Sequence, residues 1–155
     1  MLARYTCSSM TKFDSELTQF IKHARTSERF VFKKGKNWNE AVISHFKNIR
    51  KPRFGIYIIR NPKKGVLYVG KGGTVTQNGE YRPQNLKTRL TNRRGKDSSR
   101  RWINNILAEG YASISVQCLV FDQETLIAPA YAEACLLQAY RVDHKGELPP
   151  NNKHF

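Results

Sequence analysis

Two tyrosines sit in matching short apolar segments, Gly55-Ile56-Tyr57 and, after ten intervening residues, Tyr68-Val69-Gly70. Two phenols held near one another, a Gly-rich loop after the second and basic residues beyond it are the ingredients of a phosphodiester-cleaving site. The same tyrosines also read as ordinary strand residues. Arg89, in Asn85-Leu86-Lys87-Thr88-Arg89-Leu90, carries a permanent charge and forked donors that suit a phosphate. Glu133 stands among Tyr131, Ala132, Ala134, Cys135, Leu136 and Leu137. A carboxylate in so apolar a helix is costly to bury unless it is paired or metal-bound, although half-buried glutamates at helix edges are common.

The elements that must position these groups follow from hydrophobic spacing and turn chemistry. Residues 54–59 and 66–70 predict two hairpin strands, because β-branched and aromatic residues flank the loop Asn61-Pro62-Lys63-Lys64-Gly65. A loop rich in Gly, Thr and Asn spans 71–83. Helical spacing resumes over 84–93 and 98–109, with Gly110 as C-cap. Residues 112–121 alternate as a third strand, and 126–142 predict a closing helix. Upstream, Phe13, Leu17, Phe20 and Ile21 and then Trp38, Val42, His45 and Phe46 recur at helical intervals. Phe30-Val31-Phe32 reads as a short extended piece between them. The chain therefore divides into an N-terminal helical arm, 1–53, and a core, 54–155. The core order β-β-α-α-β-α predicts an α+β fold with a small antiparallel sheet.

With 155 residues and a net charge of +15, the chain is expected to form one domain that meets a polyanion, nucleic acid first. An 18-residue apolar run, a signal peptide and a long basic amphipathic helix are all missing from the sequence pattern. A membrane is therefore not the expected partner, and the expected location is cytoplasmic, with DNA. Cys7, Cys118 and Cys135 form no CxxC pair, which argues against a disulfide framework or zinc knuckle and for small buried hydrophobes in a reducing compartment.

Gly55-Ile56-Tyr57-x10-Tyr68-Val69-Gly70 resembles the signature of the GIY-YIG nuclease superfamily, and the likeness extends over residues 54–152. Lys71 directly follows the second tripeptide. Asn85-Leu86-x-x-Arg89-Leu90 is similar to the family helix that bears the catalytic arginine. Glu133 stands in the place of the metal-binding glutamate, and Pro149-Pro150-Asn151-Asn152 resembles the closing segment with its asparagine. The resemblance implies a three-stranded antiparallel sheet flanked by helices. It also implies metal-assisted hydrolysis of DNA phosphodiesters by one divalent cation, Mg2+ or in its place Mn2+, without a small-molecule cofactor. By the same resemblance Glu133 ligates the metal, Arg89 holds the scissile phosphate, Tyr57 is general base and Tyr68 orients water or phosphate. Asn152, in preference to Asn151, braces the site. An unperturbed phenol, pKa about 10, is a poor base at neutral pH, so the Tyr57 role calls for a neighbouring cation, and Lys71 supplies it. One departure stands out. Many relatives carry His or Tyr four residues after the arginine, where this chain has Arg93, which cannot deprotonate water.

The run from Asn92 to Arg101 supplies Arg93, Arg94, Lys96, Arg100 and Arg101 as phosphate contacts, which makes binding salt-dependent. Lys33, Lys34, Lys36, Lys47, Arg50, Lys51 and Arg53 form a second basic cluster. Within the loop after Lys71, Gln77, Asn78 and Arg82 have base-reading chemistry. The compact layout is most similar to the small stand-alone restriction endonucleases of the superfamily. One site per chain then favours a homodimer for cutting both strands of double-stranded DNA. The alternatives are a catalytically impaired DNA-binding module, motivated by Arg93, or a homing, mobile-element or structure-specific repair nuclease.

Overall fold

In the computed structural model the described residues are 9–61, 65–82, 84–93 and 96–155. Cys7, the loop residues Pro62 to Lys64 and the expected DNA contact Arg94 lie outside them. In chain order the elements are α1 (Lys12–His23), β1 (Thr26–Lys33), α2 (Trp38–His45), β2 (Phe54–Asn61), β3 (Gly65–Gly72), β4 (Thr74–Val75), β5 (Tyr81–Arg82), α3 (Leu86–Thr91), α4 (Ser99–Leu107), β6 (Ser113–Phe121) and α5 (Pro129–Asp143). The fold is α+β, with an antiparallel sheet ordered β1-β6-β2-β3 and a separate two-stranded ribbon, β4-β5.

The sheet thus has four strands, where the resemblance implies three. The extra one, β1, pairs with β6 along its whole length, from Thr26 opposite Val120 to Lys33 opposite Ser113. Its alternation is real but hard to see in the sequence. The less exposed residues are Thr26, Glu28, Phe30 and Phe32, and two of those four are polar. They are polar because Arg53 donates to Thr26 and forms an ion pair with Glu28. The first fifty residues therefore feed the sheet and both of its covering layers.

Strand alternation sends side chains to two cores. On one face Ile56, Ile58, Val69, Leu119 and Phe121 pack with Phe13, Leu17 and Phe20 of α1 and Leu136, Leu137 and Tyr140 of α5. On the other face Tyr57, Ile59, Leu67, Val116 and Cys118 pack with Trp38 and Val42 of α2, Leu86 and Leu90 of α3 and Ile103 and Ile106 of α4. Four helix starts carry side-chain caps: Thr11, Asn37, Asn85 and Ser98 each accept a backbone N–H from the first turn. Asp143, at the end of α5, accepts the N–H groups of Lys12 and Phe13 at 2.9 and 2.8 Å. That clamps α1 to α5 on a favourable helix N-terminus.

Candidate active site

One edge strand of the sheet is β3, and it carries the second tyrosine motif. Its register with β2 sets Tyr57 opposite Gly70, Ile56 opposite Lys71 and Gly55 opposite Gly72. Tyr57, Tyr68, Gly70 and Gly72 therefore share the face covered by α3 and α4, while Lys71 shares the face of Ile56, covered by α5. Tyr57 is completely buried, whereas Tyr68 is half-buried. Their rings stack with centroids 5.8 Å apart, and Tyr68 meets Trp102 of α4 edge-on at 5.0 Å. A Cβ on Gly70 would fall 2.5 Å from Tyr57 Cζ and 2.6 Å from both its hydroxyl and Tyr68 Cε1. Glycine at this point lets the two phenols lie directly beneath the strand.

Gly72 performs a second close approach. A Cβ there would meet the Leu86 amide at 2.7 Å, so its absence lets α3 start against β3. The Leu86 N–H also donates to the Arg53 carbonyl at 2.8 Å, and Asn85 caps the helix through the Thr88 N–H at 3.0 Å. From this anchored turn Arg89 reaches a pocket of about 240 Å³ lined by Lys71, Gly73, Thr74, Gln84, Arg89 and Glu133. Three of the expected residues thus converge from three elements, near the end of the edge strand β3. Thr74 and Gln84 line the same pocket, although the sequence does not single them out. Their only signal is position, two residues past Gly72 and one before the Asn85 cap.

Compared with known proteins, the chain matches no family model, no curated protein and no solved structure at a significant level. Functional assignment rests on the geometry.

The other expected residues are distributed as follows. Asn152 does brace β3: its side chain accepts the Val69 N–H at 2.9 Å and donates to the Val69 carbonyl at 2.8 Å. Asn151 uses its backbone N–H, donating to the Leu67 carbonyl at 3.0 Å. Lys71 starts on the opposite face of β3 from Tyr57 and lines the pocket of Arg89 and Glu133 instead of standing beside that phenol in the strand register. The helix bearing Arg89 ends at Thr91, which places Arg93 beyond it rather than one turn along the same face. Arg93 is exposed and donates to the Lys96 carbonyl at 3.2 Å. Lys96 and Arg100 are exposed. Arg101 pairs with Asp97 at 3.2 Å and Arg82 with Glu80 at 3.0 Å. Of the second basic cluster, Arg53 is spent on Glu28 inside the fold, while Lys33, Lys34, Lys36, Lys47, Arg50 and Lys51 are exposed. Cys118 and Cys135 are free thiols; burial pushes Cys118 up to about 12, which keeps it protonated and unreactive.

Proposed function

We propose that this chain is a divalent-metal-dependent endonuclease that hydrolyses phosphodiester bonds of double-stranded DNA, with a GIY-YIG-type core. The observation that carries this reading is the convergence of Lys71, Arg89 and Glu133 on one pocket; Lys71 directly follows Gly70, the glycine that lies over the stacked Tyr57–Tyr68 pair. A forked guanidinium there suits the scissile phosphate and the charge that builds on it during displacement. Among the described residues no three His, Cys, Asp or Glu side chains gather into a metal cage. Mg2+ does not require one: it keeps several waters and takes one or two carboxylates together with substrate phosphate oxygens. Glu133 as the pocket's carboxylate fits that donor set, and Mn2+ fits it as well. Bound there, the cation would supply charge stabilisation at the leaving oxygen.

The chain's own groups do the rest. Arg89 holds the phosphate in line, Lys71 adds positive charge, and Tyr57 is the candidate proton acceptor for the attacking water, a role that requires its phenolate. Gly70 leaves room for that phenol, and substrate-associated water must come within hydrogen-bond reach of it. Tyr68, the phenol with surface access, orients water or phosphate. Asn152 keeps β3, and with it Tyr68 and Lys71, in place. Arg100 lies in the first turn of α4, where a cation opposes the helix dipole; a bound phosphate would resolve that conflict. One candidate active site per chain favours a homodimer for a double-strand cut, and a site-specific, restriction-like role is the reading that the compact layout favours.

The test is digestion of plasmid and genomic DNA with Mg2+, comparing wild type with Glu133→Ala. Discrete fragments from wild type alone, lost again when EDTA removes the metal, are expected. A wild type that binds DNA without cutting it would replace the nuclease by a DNA-binding module.

A further inference from the structure

Beyond the pocket, one end of the molecule combines three unusual features. First, the loop after Gly73 is a ribbon, β4 paired with β5, turned by Gln77-Asn78-Gly79. The Thr76 N–H donates to the Glu80 carbonyl at 2.8 Å and the Gly79 N–H to the Thr76 carbonyl at 2.9 Å, with Gly79 at φ +77°. That is a three-residue hairpin loop with glycine in the left-handed position. Its tip side chains are exposed, and its first residue, Thr74, is also a wall of the Lys71–Arg89–Glu133 pocket. Second, the ribbon is braced. The Tyr81 hydroxyl lies 2.9 Å from the carbonyl oxygens of both Asp122 and Ile127, and its ring packs on Phe54 at 5.7 Å. Burial raises this phenol above its usual pKa, so it stays a donor. Third, the turn it leans on is itself tied by Asp122, whose carboxylate accepts the N–H groups of Glu124 and Thr125, each at 3.0 Å. That turn holds Leu126 at φ +54° and 88% exposed.

A leucine in the left-handed region costs about 1–2 kcal/mol, and its exposure returns nothing in burial. Strain kept at an exposed apolar residue points to a contact made outside the free chain. Resting on the nuclease reading above, we propose that the ribbon and the 122–127 turn form the sequence-reading end of the enzyme. A two-stranded ribbon fits the DNA major groove, Gln and Asn side chains read base edges there, and an apolar side chain reads the thymine methyl. Gln77, Asn78 and Gln123 are the polar readers and Leu126 is the apolar one. Asn78, Gln123 and Leu126 rim one cleft of about 310 Å³. The nearby acids are partly offset: Glu80 pairs with Arg82, and Asp122 and Glu124 share Arg25. Reach sets the register. From Thr74 to Asn78 the chain extends at most ~14 Å at ~3.4 Å per residue, or about four base steps. The bases read lie within about that distance of the cut.

Genomic DNA is digested with Mg2+ and the ends sequenced, for wild type, Gln77→Ala/Asn78→Ala and Leu126→Gly. Both variants are expected to cut, with base preference relaxed roughly tenfold at positions within about four pairs of the scissile bond. Leu126→Gly is expected to keep or raise the thermal midpoint, because glycine relieves the strain. Unchanged base preference in both variants, or loss of all cutting with DNA binding intact, overturns the proposal. So does a wild-type dimer that Leu126→Gly converts to monomer, since the leucine then serves a second copy of this chain. A wild type with no base preference overturns it while leaving the nuclease standing; a wild type that cuts nothing brings down both.

Discussion

Gly70 shows how much one missing carbon decides. An alanine there would drive its methyl into the Tyr57 hydroxyl end and the Tyr68 ring, at 2.5–2.6 Å. Neither aromatic ring can swing aside, because Tyr57 is enclosed by the core and Tyr68 is held by Trp102. Gly70→Ala is therefore expected to cost about 1–3 kcal/mol of stability, as overpacking does, measured by urea unfolding. It should also suppress single-turnover cleavage while leaving DNA binding in place. Tyr57→Phe keeps the ring and removes only the hydroxyl, so it isolates the proton-accepting role: a fall in cleavage of about a hundredfold or more is expected. Wild-type rates from Tyr57→Phe would move the base to Tyr68.

At the scale of elements, the position of Arg89 depends on α2 as well as on β3. Trp38, fully buried at the start of α2, donates its indole N–H to the Leu90 carbonyl at 2.7 Å and meets Phe32 edge-on at 5.1 Å. Trp38→Ala is expected to cost about 3–5 kcal/mol, a fall in thermal midpoint on the order of 10 °C. Cleavage should weaken with it as α3 loosens; a midpoint unchanged within error would show that α2 does not hold α3. The core elements were legible in the sequence because their signals are local: β-branched and aromatic runs around a turn for β2 and β3, alternation for β6, and helical spacing for α3, α4 and α5. The predicted 126–142 helix begins instead at Pro129, since Leu126 belongs to the turn before it. What stayed hidden depends on distant partners. β1 carries Glu28 inward toward Arg53, and the β4–β5 ribbon is held by Tyr81 on carbonyls some forty residues away. The site residues Lys71, Arg89 and Glu133 could be named individually, but their meeting around a strand edge depends on register and helix docking.

For the whole molecule, charge is divided between the two covering layers. Residues 33–53 and 84–109, which include α2, α3 and α4, contain fourteen Lys and Arg against three Asp and Glu. Residues 9–25 and 122–155, which include α1 and α5, contain six against seven. A duplex would therefore settle on the α2–α3–α4 side. Lys71, Arg89, Arg93, Lys96 and Arg100 have the access to meet phosphates, so log K against log salt should fall with a slope of roughly −4 to −5. A slope near zero in a fluorescence-anisotropy titration would remove the phosphate-binding face. The tail on β3 has a separate consequence. Asn151 and Asn152 take up the outward carbonyl of Leu67 and both backbone groups of Val69, so the rim of the sheet beside the pocket is closed to strand addition. The other edge of the four-stranded sheet is β1, on the far side from the pocket, and stray cross-β association beginning there would leave the pocket edge clear.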